Sequence, residues 1–242
     1  MTLGIVGYGR FGQFAAAKLS RYVTTLVHDP TAHRRAGAGR VTFVELPEAA
    51  RCDIVVLAVP VSALRGVLRA IRGHLRPGSL VVDVCAVKAE PVGWMRELLP
   101  RSVDIVGTHP LFGPDSASRS LRGKIVVLCP VRITEERLQR WTGRLERAGL
   151  RAVVLAPRVH DRLMAETIFL TQLVGRAVRG AGLRRWPGVT SNYRHLLSIV
   201  ETARRDTDLL FRDMLRYSAE SRRVFRGVRR GLLGLSPKRG RR

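Results

Sequence analysis

His109 closes an apolar run and opens a loop in the stretch GTHPLFGPDS, residues 107–116. An imidazole, with a reference pKa of about 6.5, can take up or release a proton near neutrality. It can also plug the end of a strand by a hydrogen bond to the backbone, and the residue type alone does not choose. A second chemical group lies at the other end of the chain. There the apolar run Leu3–Val6 is followed by Gly7-x-Gly9-x-x-Gly12 and then by a helix-compatible segment beginning Arg10-Phe11. This spacing serves a dinucleotide: Gly7 for a tight turn, Gly9 for approach of a pyrophosphate to the backbone, Gly12 for close helix–strand packing. The helix start at Arg10 and Phe11 adds N–H groups and the positive end of a dipole. The next apolar stretch, TTLVHD, ends in Asp29, about 20 residues on, where a carboxylate can accept hydrogen bonds from a ribose. Its charge disfavours a 2′-phosphate, which predicts NAD. Arg34 and Arg35 lie close by and keep NADP as the alternative.

These groups need a scaffold, and the hydrophobic pattern supplies one. Strand-like runs VTFV, CDIVVLAVP, GSLVVDV, VDIVGTH, KIVVLCP and RAVVLAP alternate with segments of helical period such as SALRGVLRAIRGHL and TEERLQRWTGRLERAG. Strands alternating with helices predict an α/β fold, a doubly wound parallel sheet of the Rossmann type over residues 1–156. After Pro157 no further strand is visible. Residues 157–232 read as a smaller all-helical domain, with helices from about Val159 to Gly180 and from about Ser191 to Arg205 and at least one more. Residues 233–242 form a basic tail. In an open α/β sheet, ligands lie beyond the carboxyl ends of the strands. Three segments leave at that edge: residues 58–64 with Val59 and Pro60, residues 83–91 with Lys88, and residues 107–116 with His109.

Composition narrows the classes. A formal charge of +24 raises a nucleic-acid partner. The arginines are instead spread over most of the helical segments, only four of 43 basic residues are lysine, and no nucleic-acid motif accompanies them. A solvated basic surface is the simpler reading, with no nucleic acid as partner. No apolar run approaches the roughly 18 residues of a membrane span, and the N-terminus lacks a signal-peptide pattern. The three cysteines form neither a CxxC pair nor a zinc spacing with histidines. A cytoplasmic location with reduced thiols and no metal is expected.

The order Gly-rich turn, DVCAVK (83–88), GTHPLFGPDS and HDRLMAETIFLTQLVG (160–175), followed by Tyr193-Arg194, resembles the prephenate/arogenate dehydrogenase family over roughly residues 1–215. The resemblance implies NAD(P)-dependent oxidative decarboxylation of a cyclohexadienol in tyrosine biosynthesis, and a homodimer joined through the helical domain. Leu163, Met164, Ile168 and Leu173 are the apolar residues expected at that interface. His109 becomes the catalytic group that accepts the substrate's hydroxyl proton, with Gly107 and Gly113 letting a ring come close. Arg194 becomes a carboxylate ligand, since its planar fork matches that group. Lys88 supports its loop while the backbone of residues 86–88 faces the nicotinamide, and Asp83 caps that loop. Asp115 and Ser116 either position substrate or cap a turn. His160-Asp161 begins a helix, the aspartate being favoured there by the dipole.

The sequence also departs from the family's pattern. Ala86 stands where the family usually has a serine beside the catalytic histidine, and Gln172 stands where a histidine is frequent. Both remain substrate-facing positions by this resemblance. Thr202 replaces a further arginine, and on a helix Arg205 returns to the face of Arg194, although Glu201–Arg205 can equally be a surface pair. With the serine gone, a substrate bearing an amino group on the ring, 4-amino-4-deoxyprephenate, is an alternative. A dinucleotide-binding protein without turnover is the reading from another class.

Overall fold

The computed structural model describes residues 1–31, 41–117, 119–184 and 186–235. The chain divides into two compact units, Met1–His160 and a second from Asp161 on. The first unit runs β1 (Thr2–Val6), α1 (Arg10–Leu19), β2 (Thr24–His28), β3 (Val41–Phe43), α2 (Leu46–Ala50), β4 (Ile54–Leu57) and α3 (Val61–Ile71). It continues through β5 (Leu80–Asp83), α4 (Ala89–Leu98), β6 (Asp104–Pro110), α5 (Pro114–Ala117), β7 (Ile125–Arg132), α6 (Glu135–Arg147) and β8 (Arg151–Val154). One eight-stranded sheet results, in the order β3-β2-β1-β4-β5-β6-β7-β8. Its central strands are short runs of Val, Ile and Leu that are buried nearly throughout, as strands covered on both faces must be. The helices pack by their apolar stripes. In α3 the buried residues Val61, Leu64, Leu68 and Ile71 recur at helical spacing. Thr134 caps α6, its hydroxyl accepting from the Arg137 N–H at 3.4 Å.

The expected all-parallel sheet is corrected at one edge. β1 to β6 are mutually parallel, but β7 pairs antiparallel with β6, and β8 pairs parallel with β7. A parallel return needs a crossover, usually a full helix. Between β6 and β7 the described chain forms only the four-residue α5, so it folds straight back along β6. The Leu111 N–H still donates to the Ile125 carbonyl at 2.9 Å, which ties down the start of the loop after His109.

The helical region comprises α7 (Pro157–Met164), a π-helical turn Ala165–Phe169, α8 (Leu170–Gly180), α9 (Ser191–Arg205), α10 (Asp208–Tyr217) and α11 (Ala219–Gly234). The helix expected from about Val159 to Gly180 therefore starts at Pro157, a residue whose fixed φ suits a first turn, and is interrupted by the π turn. Asp161 consequently lies in the second turn of α7 and is buried, rather than standing at the helix start. Side chains of Thr190, Thr207 and Ser218 cap α9, α10 and α11. Phe169 is fully buried and stacks on Phe211 with ring centroids 5.2 Å apart. Of the four residues expected at an assembly face, Leu163 is 44% exposed, whereas Met164 is 3% exposed and already covered by its own chain. No described helix is long and apolar enough to cross a membrane.

Candidate active site

The turn between β1 and α1 is built from its glycines. Gly7 has φ +100°, a region that only glycine enters cheaply. A Cβ there would also stand 2.5 Å from the Ala58 carbonyl oxygen. A Cβ on Gly12 would lie 2.1 Å from the Gly7 carbonyl oxygen, so the helix can seat against the turn only without one. Gly9 differs: a Cβ added to it would meet nothing within 4 Å. It caps α1 with no side-chain hydrogen bond, and the first turn of that helix carries no acid. Open space above N–H donors at a positive helix end fits a pyrophosphate. Asp29, directly after β2, accepts from the Tyr8 N–H at 2.6 Å through one oxygen. Its other oxygen accepts from the Thr31 N–H at 2.8 Å and the Thr31 hydroxyl at 2.7 Å. The carboxylate thus braces the turn as well as standing where a ribose would need it. Arg34 and Arg35 lie outside the described residues.

Two neighbours of this turn are committed elsewhere. The partly buried Phe11 side chain packs against the cluster around Leu3, Ile5 and Ala15. The Arg10 guanidinium donates to both oxygens of Asp115, at 3.0 and 2.9 Å, so Asp115 is an ion-pair partner here. The Ser116 hydroxyl accepts from the Gly113 N–H at 3.1 Å. Val59 and Pro60 follow β4, with Pro60 at the N-cap of α3 and the Cys85 thiol 3.8 Å from the Val59 carbonyl oxygen.

Beyond β5 and β6 lies a fully buried polar pair. Asp83 and Lys88 form an ion pair with both side chains 0% exposed. Asp83 also accepts from the Cys85 N–H at 3.0 Å and the Thr108 N–H at 3.3 Å, while the Thr108 hydroxyl donates to the Asp83 carbonyl. The loop of residues 84–88 is therefore pinned to β6 immediately before His109. Gly107 serves this pair and not an approaching ring, which corrects the sequence expectation. A Cβ there would stand 2.5 Å from the Val92 Cγ1 and 3.2 Å from the Lys88 Cδ. The Lys88 ammonium is committed to Asp83, so a cofactor would meet this loop through its backbone. Ala86, partly exposed in the same loop, offers no polar side chain.

His109 is 7% exposed, and its Nδ1 lies 2.9 Å from Nε2 of the fully buried His160. The rings are inclined at 70°, with centroids 5.1 Å apart. Burial first, then the proximity of His160 and of Lys88, push the His109 pKa well below the ordinary 6.5. The imidazole is accordingly neutral near pH 7 and able to accept a proton. Sequence reasoning had His160 at a helix start and missed this contact. Only the HD pair opening the 160–175 stretch pointed to the position, and nothing in the spacing reveals which ring nitrogen meets which.

In the helical unit, a cavity of about 440 Å³ is lined in part by Trp186, Arg194, Ser198, Glu201, Thr202 and Arg205. Arg194 and Arg205 thus share a pocket wall, with Arg194 also donating to the Val189 carbonyl at 3.2 Å and Arg205 standing 3.9 Å from Glu201. Gln172 is not part of this wall. It is buried, its amide nitrogen donates to Asp206, and its Oε1 has no hydrogen-bond partner among the described residues.

The profile of the nucleotide-binding domain of prephenate dehydrogenase matches residues 17–154. The chain belongs to the prephenate/arogenate dehydrogenase family. Arogenate dehydrogenase 2, chloroplastic, of Arabidopsis thaliana is 30% identical over 233 residues, which are 90% of this chain and 64% of that protein. The chain therefore spans less than two thirds of this plant family member. The 4-amino-4-deoxyprephenate dehydrogenase of Streptomyces pristinaespiralis is 33% identical over 146 residues, 54% of this chain and 47% of that one. Among solved structures of the family, the prephenate dehydrogenase of Aquifex aeolicus, in complex with hydroxyphenyl propionate and NAD+, superposes with a TM-score of 0.76. Sequence identity to it is 20%, with 97% of this chain and 89% of that chain covered. That likeness establishes the shared fold.

Proposed function

We propose that this family member oxidises and decarboxylates a prephenate-like cyclohexadienol, prephenate or arogenate, using NAD. The observation that carries the reading is His109, a buried, neutral imidazole on the strand next to the pinned loop 84–88. A bound nicotinamide supplies the hydride acceptor for the ring carbon that bears the hydroxyl. His109 takes the hydroxyl proton as the carbonyl forms. The bond to the ring carboxylate then breaks, CO2 leaves, its electron pair enters the ring, and His109 returns the proton to the resulting phenolate oxygen. Asp29 supports NAD over NADP through the ribose, and the start of α1, free of a side-chain cap, supports a dinucleotide of either kind through the pyrophosphate. Arg194 is the proposed carboxylate ligand. Gln172 is proposed to face substrate through its unpartnered Oε1, with Ser116 and Ala86 as the further substrate-facing positions.

The test is NADH formation with prephenate or arogenate, matched by CO2 release. His109→Asn should lower kcat by about 10²–10⁴-fold, the usual cost of losing a general base, while leaving NADH affinity unchanged. Failure to turn over either substrate or its 4-amino-4-deoxy analogue, with NADH still bound, overturns the reading in favour of a binding protein without turnover. Ala86 favours a second reading, the amino analogue as native substrate. Under it, Ala86→Ser should shift preference toward prephenate. Exposed leucines in the helical unit, among them Leu163, Leu232 and Leu233, support pairing with a second copy. The buried thiols of Cys52, Cys85 and Cys129, none in a disulfide, suit a reducing compartment such as the cytoplasm.

A further inference from the structure

We propose that His160 is a positioning residue: it accepts a hydrogen bond from the Nδ1–H of His109 and so fixes the tautomer in which His109 Nε2 is a bare acceptor. The inference rests on the reading of His109 as a proton acceptor. A neutral imidazole carries one N–H, and the bond made by one nitrogen decides the state of the other. In water the neutral side chain favours the proton on Nε2, which is the wrong arrangement for a base that works through Nε2. Something must hold the proton on Nδ1, and the 2.9 Å contact with His160 Nε2 is in place to do so. Other orienting groups in the vicinity are committed. Asp83 is occupied by Lys88, the Cys85 N–H and the Thr108 N–H. The Thr108 hydroxyl is bound to the Asp83 carbonyl, and Ala86 has no hydroxyl.

The choice of imidazole over carboxylate has a chemical consequence. A carboxylate partner raises the proton affinity of the base it orients, because it attracts the imidazolium. A neutral imidazole orients without that attraction, and when protonated it repels. Among the described residues, the charged or titratable groups acting on His109 are His160 from α7 and Lys88 from the loop after β5, the latter backed by Asp83. Burial, His160 and Lys88 all oppose a proton on His109. Together they keep His109 available as an acceptor into acidic solution.

Nitrogen-15 NMR of the histidine-labelled full chain tests this without substrate, with the His109 signals assigned by their loss in His109→Asn. At neutral pH the expected spectrum has a protonated His109 Nδ1 and a bare Nε2. His160→Phe should move the proton to Nε2, whereas His160→Gln, whose amide oxygen reaches the place of Nε2, should keep it on Nδ1. Turnover should follow the tautomer. His160→Phe is expected to lower kcat by about 10–10²-fold, the range seen when an orienting partner is lost, with KM little changed, and His160→Gln to recover most of it. The acid limb of the kcat/KM profile should move to higher pH in His160→Gln, because the ring that opposes protonation of His109 is gone. A proton on His109 Nε2 in the unaltered protein, or an unchanged tautomer in a folded His160→Phe, overturns the proposal. Absence of turnover with every substrate, together with the expected NMR pattern, counts against the dehydrogenase reading alone and leaves the orienting role supported.

Discussion

Replacing Lys88 by methionine removes one partner of a buried ion pair while keeping most of the side-chain volume. Both members of the pair are fully buried, so Asp83 would be left as an uncompensated charge. Breaking such a pair costs about 3–5 kcal/mol. Asp83 retains two backbone donors, the Cys85 N–H at 3.0 Å and the Thr108 N–H at 3.3 Å, and charge-assisted hydrogen bonds of this kind offset part of the loss. The lower part of the range, about 3–4 kcal/mol, is therefore expected. At about 2–4 °C per kcal/mol for a domain of this size, Tm should fall by about 6–16 °C. Urea unfolding in a Trp186→Phe background, followed through the fluorescence of Trp94 and Trp141, reads the first unit directly. Asp83→Asn combined with Lys88→Met should recover much of the loss, since the pair is then replaced as a whole. A penalty below about 1 kcal/mol for Lys88→Met would refute the reasoning, as would a double variant no more stable than the single one.

Acid should destabilise the protein earlier than its carboxylates alone would require. Below about pH 6.5 the unfolded chain binds a proton at His109 that the folded chain refuses, so stability is full above that pH and falls as pH drops toward the depressed folded value; denaturant midpoints across pH 4–8 should show this slope, and His109→Asn should flatten it. The second and third glycines of the turn should separate packing from ligand binding. Gly12→Ala forces a Cβ to 2.1 Å from the Gly7 carbonyl oxygen and should cost about 1–3 kcal/mol of stability. Gly9→Ala meets no protein atom and should leave the melting temperature nearly unchanged while weakening NADH binding measured by fluorescence titration. Unaltered NADH affinity in Gly9→Ala would remove the pyrophosphate from that position.

The sheet was legible because its strands are short unbroken apolar runs between helical segments, a pattern that follows from burial on both faces. The reversal of β7 was not, since KIVVLCP reads the same in either direction and only the shortness of α5 decides. Single-residue roles divided along similar lines. Gly7 and Gly12 were readable because a turn against a helix excludes a Cβ whatever the sequence around it. Gly107 was misread, because its neighbours Val92 and Lys88 come from a different segment and no local spacing brings them together. His160 showed the same difficulty: its partner is 51 residues away, and only the fold sets the two rings side by side. The burial of Met164 likewise depended on which stripe of its helix the rest of the chain covers.

The π turn at Ala165–Phe169 makes the length of its helix a structural variable in its own right. Deleting one residue from it would let the segment close as a regular α-helix. A π turn holds one residue more than an α turn, so this deletion would leave the flanks nearly in phase, whereas a deletion in the regular α7 would turn every side chain from Leu170 to Gly180 about the axis by about 100°. Gln172 would then leave Asp206, Arg176 would leave Asp208, and Gly175 would no longer face Ala203, where a Cβ would come within 2.6 Å of its neighbour. An insertion or deletion in the connection of residues 181–190 shifts no such set, because it alters a link and not a phase. Scanning this helix by substitution holds the residue count fixed and would never expose the dependence. Only a one-residue deletion and its compensating insertion, made within the same helix, would.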